Sequence, residues 1–232
     1  MKSKTEKLLD ELVKLHPKYI DLSLDRLKLL LKKLGNPQDY LPKTIHIAGT
    51  NGKGSTSAIL SKLLESRCRV GLFTSPHLYS LRERIRVQGQ AIPIKYIVEF
   101  IKKYKHEIDE VGASFFEAMT VMAAWYFYNQ KVDYAIMETG LGGRYDSVTA
   151  CNSKIQAFTS ISIDHTQILG PTLLDIAKEK IEAISKKSKI FSVKQTLGIE
   201  KLLKEKCQEQ QAKYLIAKKI NKISLSLKGE HQ

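Results

Sequence analysis

A glycine-rich turn between a strand-like run and a helix-like segment is the feature that most restricts how this chain can fold. Residues 44–48 (TIHIA) are a short run rich in β-branched side chains, and the glycine-rich residues 49–55 (GTNGKGS) follow directly. Residues 55–66 then have helical character. A strand that passes through a glycine turn directly into a helix is a unit from which parallel α/β sheets are built. We therefore expect an α/β fold.

Residues 49–55, called the phosphate loop from here on, have the chemistry of an anion-binding turn. Glycines let the backbone point its N–H groups at an anion, the start of the helix adds positive potential, and Lys53 carries a full charge. The order differs from the usual G-x-x-x-x-G-K-[ST] pattern, because Gly54 separates Lys53 from Ser55. We predict that the loop binds a nucleoside triphosphate. The predicted contacts are Gly49, Thr50, Asn51, Gly52, Lys53, Gly54, Ser55 and Thr56.

Strand and helix patterns alternate along the rest of the chain. Strands are predicted at 69–73, 132–138, 156–162 and 189–193, and helices at 24–34, 94–110, 114–128, 172–186 and 197–211. A polar loop is predicted at 74–92. This order favours βαβ units, with a mostly parallel sheet and flanking helices. Ligands bind beyond the carboxyl ends of such strands, and the polar residues considered below follow those ends.

Composition excludes several other classes of protein. The 43% hydrophobic and 27% charged residues fit a folded globular chain, and no apolar run is long enough for a transmembrane helix. The net charge of +14 comes from 38 Lys and Arg against 24 Asp and Glu, spread along the chain. A solvated surface that attracts polyanionic small molecules is therefore favoured over a nucleic-acid partner. Three scattered cysteines and no signal-peptide pattern indicate a cytoplasmic protein, and we expect a monomer.

Several motifs, in one order along the chain, resemble folylpolyglutamate synthase/dihydrofolate synthase, a family of the Mur-ligase superfamily. They are LGNPQ at 34–38, HIAGTNGKGS at 46–55, TSPHL at 74–78, RERI at 82–85, FE at 116–117, ETGLGGR at 138–144 with Asp146, DHT at 164–166 and ILG at 168–170. The resemblance implies a P-loop nucleotide-binding domain of the Mur-ligase central type. It also implies an ATP- and Mg²⁺-dependent ligase, which phosphorylates a pterin-bearing carboxylate that the amino group of L-glutamate then attacks.

The same resemblance implies metal-binding and catalytic residues at the strand ends. Ser75 and Glu138 correspond to the family's Mg²⁺ ligands, and His165 corresponds to a third ligand that serves a second ion. Lys180 corresponds to a carbamylated lysine, an anionic group near the metal. Lys53, His165 and Lys180 are therefore the predicted catalytic residues, because phosphoryl transfer depends on charge neutralisation. Considered singly, Glu138 also fits a structural carboxylate, His165 a capping residue and Lys180 a surface lysine.

The acceptor substrate is expected between the loop at 75–89 and the helix that starts near Phe116. Three arginines of that loop alternate at 82, 84 and 86, so on an extended strand they would share one side and meet phosphate, a folate's acidic tail or solvent. The aromatic pair at 115–116 also fits a core position. Dihydropteroate and folate both remain open as the acceptor. By the resemblance, the substrate-binding residues are Pro76, His77, Arg82, Arg84, Phe116 and Glu117.

Residues 225–232 (LSLKGEHQ) resemble the family's G-x-H-Q motif. We expect residues 1–232 to form the ATP-binding domain, with the C-terminal glutamate-ligase domain absent, so that the chain binds nucleotide weakly, if at all, and has no ligase turnover. The alternatives are another Mur-type amide ligase, a P-loop switch or motor, and an inactive ATP-binding remnant. Peptidoglycan ligases usually carry Thr after the loop lysine, where this chain has Gly54-Ser55, and a motor would need a coupling domain.

Overall fold

A buried parallel strand pair at the centre of one sheet organises the molecule. The computed structural model describes residues 4–15, 23–41 and 43–218. Within them the strands are β1 (Thr44–Ala48), β2 (Val70–Phe73), β3 (Ile85–Val87), β4 (Gln90–Ala91), β5 (Tyr134–Glu138), β6 (Ile155–Phe158), β7 (Lys189–Ser192) and β8 (Lys213–Ile216). They form a single sheet in the order β4-β3-β2-β5-β1-β6-β7-β8.

The sheet is parallel except at one edge. β2, β5, β1, β6, β7 and β8 pair in parallel, whereas β3 and β4 are antiparallel to their neighbours. All five residues of β1 are buried, as expected for a central strand that is covered on both faces. The predicted α/β class with a mostly parallel sheet is confirmed.

Helices cover both faces of this sheet. They are α1 (Lys4–Val13), α2 (Asp25–Lys33), α3 (Lys53–Glu65), α4 (Ile94–Val111), α5 (Phe115–Asn129), α6 (Thr166–Leu169), α7 (Leu173–Ile181) and α8 (Leu197–Glu209). α3 packs on the face that carries Leu72 and Ile136, while α5 belongs to the core of the opposite face, with Phe73 and Met137. α7 and α8 form a separate cluster against β6 and β7. No helix in the described ranges combines the length and the apolar character that crossing a membrane requires.

Local structure departs from the sequence prediction in a few places. The segment predicted as a loop at 74–92 contains a 3₁₀ turn (Leu81–Arg84) and the β3–β4 hairpin. Its strands are only three and two residues long, too short for a periodic signal, and Gln88 and Gly89 form the turn with positive φ. β8 was not predicted. The G-x-H-Q motif at 225–232 lies outside the described residues.

Several element boundaries also differ. The helix after the phosphate loop begins at Lys53 rather than at residue 55. The strand predicted to residue 162 ends at Phe158, because the backbone beyond it bonds to the phosphate loop instead of continuing the ladder. The helix predicted over 172–186 ends at Ile181.

Gly71 on β2 offers a test of how α5 packs on the sheet. A Cβ on Gly71 would lie 2.6 Å from a ring carbon of the fully buried Phe127. We expect Gly71→Ala to lower the free energy of unfolding by about 1–3 kcal/mol, the usual cost of overpacking a core. Gly198→Ala is the control, since its Cβ would meet only an exposed Leu174 methyl at 3.2 Å and alanine favours a helix. Equal urea midpoints for the two variants would contradict this packing.

Candidate functional site

Neighbouring strands deliver the predicted residues to one edge of the sheet. Ser75 follows β2, Glu138 ends β5, the phosphate loop follows β1, and residues 159–162 follow β6. Because β2, β5, β1 and β6 are parallel neighbours in that order, these segments lie side by side at the carboxyl edge. Lys53 and Glu138 are therefore on the same side of the molecule, as the proposed site requires.

The phosphate loop turns through backbone shapes that glycine adopts easily. Gly52 has a φ of 85° and precedes the first residue of α3. Gly49 has a φ of 131°, and the side chain of Thr159 occupies the space that a Cβ would need there. Lys53 Nζ donates a hydrogen bond to the Thr50 carbonyl at 3.1 Å. The lysine is thus held over its own loop.

The segment after β6 braces one side of the loop. The Ser160 carbonyl accepts hydrogen bonds from the N–H groups of Thr50 at 2.8 Å and Asn51 at 3.3 Å. Thr50 Oγ1 donates to the Ser162 carbonyl at 3.1 Å, and Asn51 Nδ2 donates to Ser162 Oγ at 2.9 Å. The first half of the loop is therefore fixed by the protein itself.

Glu138 lies against the other side of the loop. Its side chain belongs to a residue only 3% exposed, and a Cβ on Gly54 would be 3.7 Å from both carboxylate oxygens. The Ser75 N–H donates to Oε2 at 3.2 Å. Burial raises the pKa of Glu138, while the Ser75 N–H and the positive charges of Lys53 and Arg84 act against that rise. The charge of this buried carboxylate is poorly solvated. Binding of a further cation, in addition to the nearby Lys53 and Arg84, would therefore be favourable.

Lys180 reaches the loop from α7. It is 3% exposed, and its Nζ donates to the Gly49 carbonyl at 3.0 Å. Burial, and secondly the charge of Lys53, lower the pKa of Lys180 to about 8, although the carboxylates of Asp164 and Asp146 act in the opposite direction. This lysine is therefore a buried residue and not a surface one. Because its pKa is lowered, a larger fraction of the side chain is in the neutral amine form near neutral pH than for an ordinary lysine.

Asp146 organises the glycine-rich loop 140–143, which follows β5. Its carboxylate accepts hydrogen bonds from the N–H groups of Gly140 at 2.9 Å, Leu141 at 2.8 Å and Val148 at 3.0 Å. Burial nevertheless raises the pKa of Asp146 to about 6. Loop 140–143 also touches α7 directly, because a Cβ on Gly143 would overlap the backbone of Lys180. The sequence motif included Asp146, but no role was predicted for it.

A cavity of about 680 Å³ opens beside Ser75 and loop 140–143. Of the residues predicted to bind substrate, Pro76, Arg84, Phe116 and Glu117 line it, as does the predicted metal ligand Ser75. His77 and Arg82 do not line it. The volume suits a small organic molecule.

Ionic contacts fix the polar walls of the cavity. Arg26 Nε donates to both carboxylate oxygens of Glu117, to Oε2 at 2.9 Å and to Oε1 at 3.1 Å. Glu117 also caps the start of α5 together with Ser114. Arg84 Nε donates to His77 Nδ1 at 2.8 Å, and its guanidinium lies 5.2 Å from the Phe115 ring centroid. Arg26 gave no signal in the sequence, because an arginine on an amphipathic helix reads as a solvated residue.

The expected row of arginines is wrong. Arg82 and Arg84 lie in the 3₁₀ turn, where alternate residues point in different directions. Arg82 Nε donates to the Ile92 carbonyl at 2.7 Å, and Arg86 Nε donates to the Glu83 carbonyl at 3.0 Å. Only Arg84 of the three faces the cavity.

His165, the third predicted metal ligand, lies beyond the end of β6 and directly before α6. Its side chain is 52% exposed, and Ile168 and Leu169 of α6 line the same cavity as Ser75. Its Nε2 lies 3.5 Å from the Asp164 carboxylate. Over the ranges 4–15, 23–41 and 43–218, no three His, Cys, Asp or Glu side chains are arranged to hold a metal ion.

Comparison with known proteins gives one consistent result. Residues 47–232 match the Mur ligase middle domain. The chain is 38% identical over 173 residues to the dihydrofolate synthase/folylpolyglutamate synthase of Escherichia coli. Its fold superposes with a TM-score of 0.82 on E. coli FolC in complex with DHPP and ADP, at 32% identity. The TM-score is also 0.82 for the Mycobacterium tuberculosis folylpolyglutamate synthase complexed with ADP and AMPPCP, at 30% identity.

The matches cover most of this chain but only part of each relative. The E. coli sequence match spans 74% of this chain and 41% of the relative. The two structural matches span 92% and 91% of this chain, and 51% and 50% of the solved chains. This chain therefore corresponds to about half of those proteins.

Lys180→Met tests the buried lysine through the pH dependence of stability. Between pH 8 and 10.5 the folded chain has released the Lys180 proton that the unfolded chain still holds, so the free energy of unfolding rises with pH. From pH 7.5 to 9.5 the parent should gain about 2 kcal/mol relative to Lys180→Met. Urea unfolding at the two pH values measures this gain. The exposed Lys178→Met should keep the parent's slope, and a Lys180→Met slope equal to the parent's would contradict the burial of the charge.

Proposed function

We propose that this chain, which belongs to the Mur ligase middle-domain family, is the ATP-binding part of a ligase that joins L-glutamate to dihydropteroate or folate. The observation that carries this proposal is the meeting of Lys53, Glu138 and the cavity at one sheet edge. A phosphate-binding cation, a carboxylate for a metal and room for an organic acid are the parts that carboxylate phosphorylation needs.

ATP would bind with its outer phosphates at the start of α3. The first N–H groups of this helix have no carbonyl partner within the helix and therefore attract an anion. Lys53 is the first residue of the helix, so its ammonium would neutralise the β- and γ-phosphates. This reading is supported by the solved relatives, which were captured with ADP and AMPPCP.

Ser75 and Glu138 would hold Mg²⁺. Both side chains have oxygen atoms that can ligate the ion, and the Glu138 carboxylate is buried beside the loop. Burial raises the pKa of Glu138, so a bound cation would stabilise its ionised form. When bound, the ion supplies neutralisation of the negative charge that builds up on the transferring phosphate. His165 remains the predicted third ligand, for a second ion.

The cavity would hold the pterin-bearing acceptor. Phe116 offers an aromatic face, while Glu117 and Arg26 offer an acceptor and a donor for polar ring edges. Arg84, oriented by His77, faces the same space and would bind an anionic group of the substrate. Pro76 lines the entrance beside Ser75, and Arg82 supports the loop from its bond to Ile92.

The reaction follows from this placement. A carboxylate oxygen of the acceptor attacks the γ-phosphorus, the bond to the ADP oxygen breaks, and an acyl phosphate forms. The amino group of glutamate then attacks the acyl carbon, loses a proton, and inorganic phosphate leaves. Lys180 is proposed to be carbamylated: its neutral amine adds CO₂ with loss of a proton, which burial of the amine favours.

The remaining proposals concern the context of the chain. Residues 1–232 would form the ATP-binding domain, and glutamate would bind through a second domain. We place the protein in the cytoplasm, supported by three unpaired cysteines in the described chain, and we propose a monomer because one chain supplies the loop, Glu138 and the cavity. Another Mur-type amide ligase would use the same phosphate loop. ADP release with dihydropteroate or with folate, measured on this chain fused to the C-terminal half of the E. coli relative, decides the acceptor.

Lys53→Ala tests the nucleotide site. ADP with magnesium should raise the Tm of the parent chain by mass action, and Lys53→Ala should weaken ADP at least about tenfold because it removes a charge-assisted phosphate contact. Lys62→Ala, on the exposed side of the same helix, should retain the Tm shift. A full ADP-dependent shift in Lys53→Ala would remove the loop from the proposal.

Glu138→Gln tests the metal site. Gln keeps the size of the side chain but removes the charge, so the magnesium concentration that half-saturates the ADP-dependent Tm shift should rise about tenfold or more. Glu182→Gln is the control, because that carboxylate pairs with Arg144 and Lys206 away from the loop. An unchanged magnesium titration in Glu138→Gln would argue against its role as a ligand.

A further inference from the structure

The brace behind the phosphate loop is itself held by one buried side chain. Gln195 follows β7 and is 8% exposed. Its Nε2 donates to the Thr159 carbonyl at 2.8 Å and to Ser192 Oγ at 3.3 Å, and its Oε1 accepts from the Ile161 N–H at 3.2 Å. One amide group thus bonds the backbone on both sides of Ser160.

These bonds replace sheet pairing at the point where β6 ends. Thr159 and Ile161 are buried, yet the chain has left the parallel ladder after Phe158. A buried carbonyl and a buried N–H without partners would each be costly, so this backbone shape depends on a side chain that both donates and accepts. Gln195 has both groups, and its two backbone contacts, at Thr159 and Ile161, set the orientation of Ser160 and of the peptide group that joins Ser160 to Ile161.

That peptide carries the acceptor used by the phosphate loop. The Ser160 carbonyl receives the N–H groups of Thr50 and Asn51, and the next residues of the same segment bond the Thr50 and Asn51 side chains. The path from Gln195 to the loop is therefore two hydrogen-bonded steps long, with only backbone in between.

We propose that Gln195 is a positioning residue for nucleotide binding, which holds the Thr159–Ile161 segment so that Ser160 fixes the first half of the phosphate loop. In the described part of the chain, the Gln195 amide forms hydrogen bonds with Thr159, Ile161 and Ser192 and with no residue of the loop, so it acts through the Thr159–Ile161 segment. The effect on nucleotide affinity rests on the proposed function of the loop, whereas the effect on loop structure does not.

Gln195→Met is the test variant, and Gln156→Met is its matched control. Methionine has nearly the same length as glutamine but lacks the amide hydrogen bonds. Gln156 is also buried and also bonds backbone, donating to the Ala183 carbonyl at 2.7 Å and accepting from the Ser185 N–H at 2.9 Å. Both variants lose a buried amide, but only Gln195→Met loses the brace. Gln195→Asn, which keeps the amide and is one methylene too short to span both partners, replaces the test variant if it does not fold.

Two readouts decide the proposal. Without nucleotide, hydrogen exchange at the Thr50 and Asn51 amides should become at least about tenfold faster in Gln195→Met and stay unchanged in Gln156→Met. Affinity for ADP with magnesium should fall about tenfold in Gln195→Met and less than twofold in the control, the scale expected when an outer hydrogen-bonding partner of a site is lost.

Equal exchange rates in the two variants would overturn the role of Gln195 as a brace. Faster exchange with unchanged ADP affinity would overturn its role in nucleotide binding. If the parent chain binds no ADP, the proposed function of the loop fails, while the exchange rates of Thr50 and Asn51 still decide whether Gln195 positions the loop.

Discussion

The parallel register of β1 with its two neighbours is the constraint on which the site depends. Ile47 lies beside Glu138 of β5, and Ala48 lies beside Phe158 of β6. The three strands therefore end together, and the phosphate loop leaves β1 between a carboxylate on one side and a backbone brace on the other. A slip of one residue would turn Glu138 to the opposite face of the sheet, away from the loop.

Several ionisable groups are buried together at this edge of the sheet, and their mutual interactions do not fully offset the cost of burying their charges. Burial raises the pKa values of Glu138 and Asp146 and lowers that of Lys180, in each case toward the neutral form. The charge of Asp146 acts on both Glu138 and Lys180, and the charge of Lys53 acts on the same two groups. A buried charge is costly unless it is paired, so an arrangement of this kind favours a ligand that carries both a polyanion and a cation. A nucleotide with its metal ion has that composition.

The sequence predicted the parts of the site that depend on local pattern. Lys53 could be placed because the glycine turn that carries it follows β1, and Glu138 because it ends β5, since parallel strands share a carboxyl edge. Arg26 and Gln195 could not be placed, since their partners lie 91 and 34–36 residues away and nothing in their neighbourhood distinguishes them from ordinary polar residues. The β3–β4 hairpin was missed because strands of three and two residues have no measurable period.

The phosphate loop divides into two halves that the motif alone does not separate. The N–H groups of Thr50 and Asn51 already bond Ser160, and the carbonyls of Gly49 and Thr50 already accept Lys180 and Lys53. The first half of the loop is thus committed to holding the turn in place. The second half is the first turn of α3, whose N–H groups have no carbonyl partner within the helix. An anion that approaches this edge therefore finds its donors at residues 53–55. The glycine-rich run thus has two physical roles, because it forms a fixed turn and then leaves the start of the helix open.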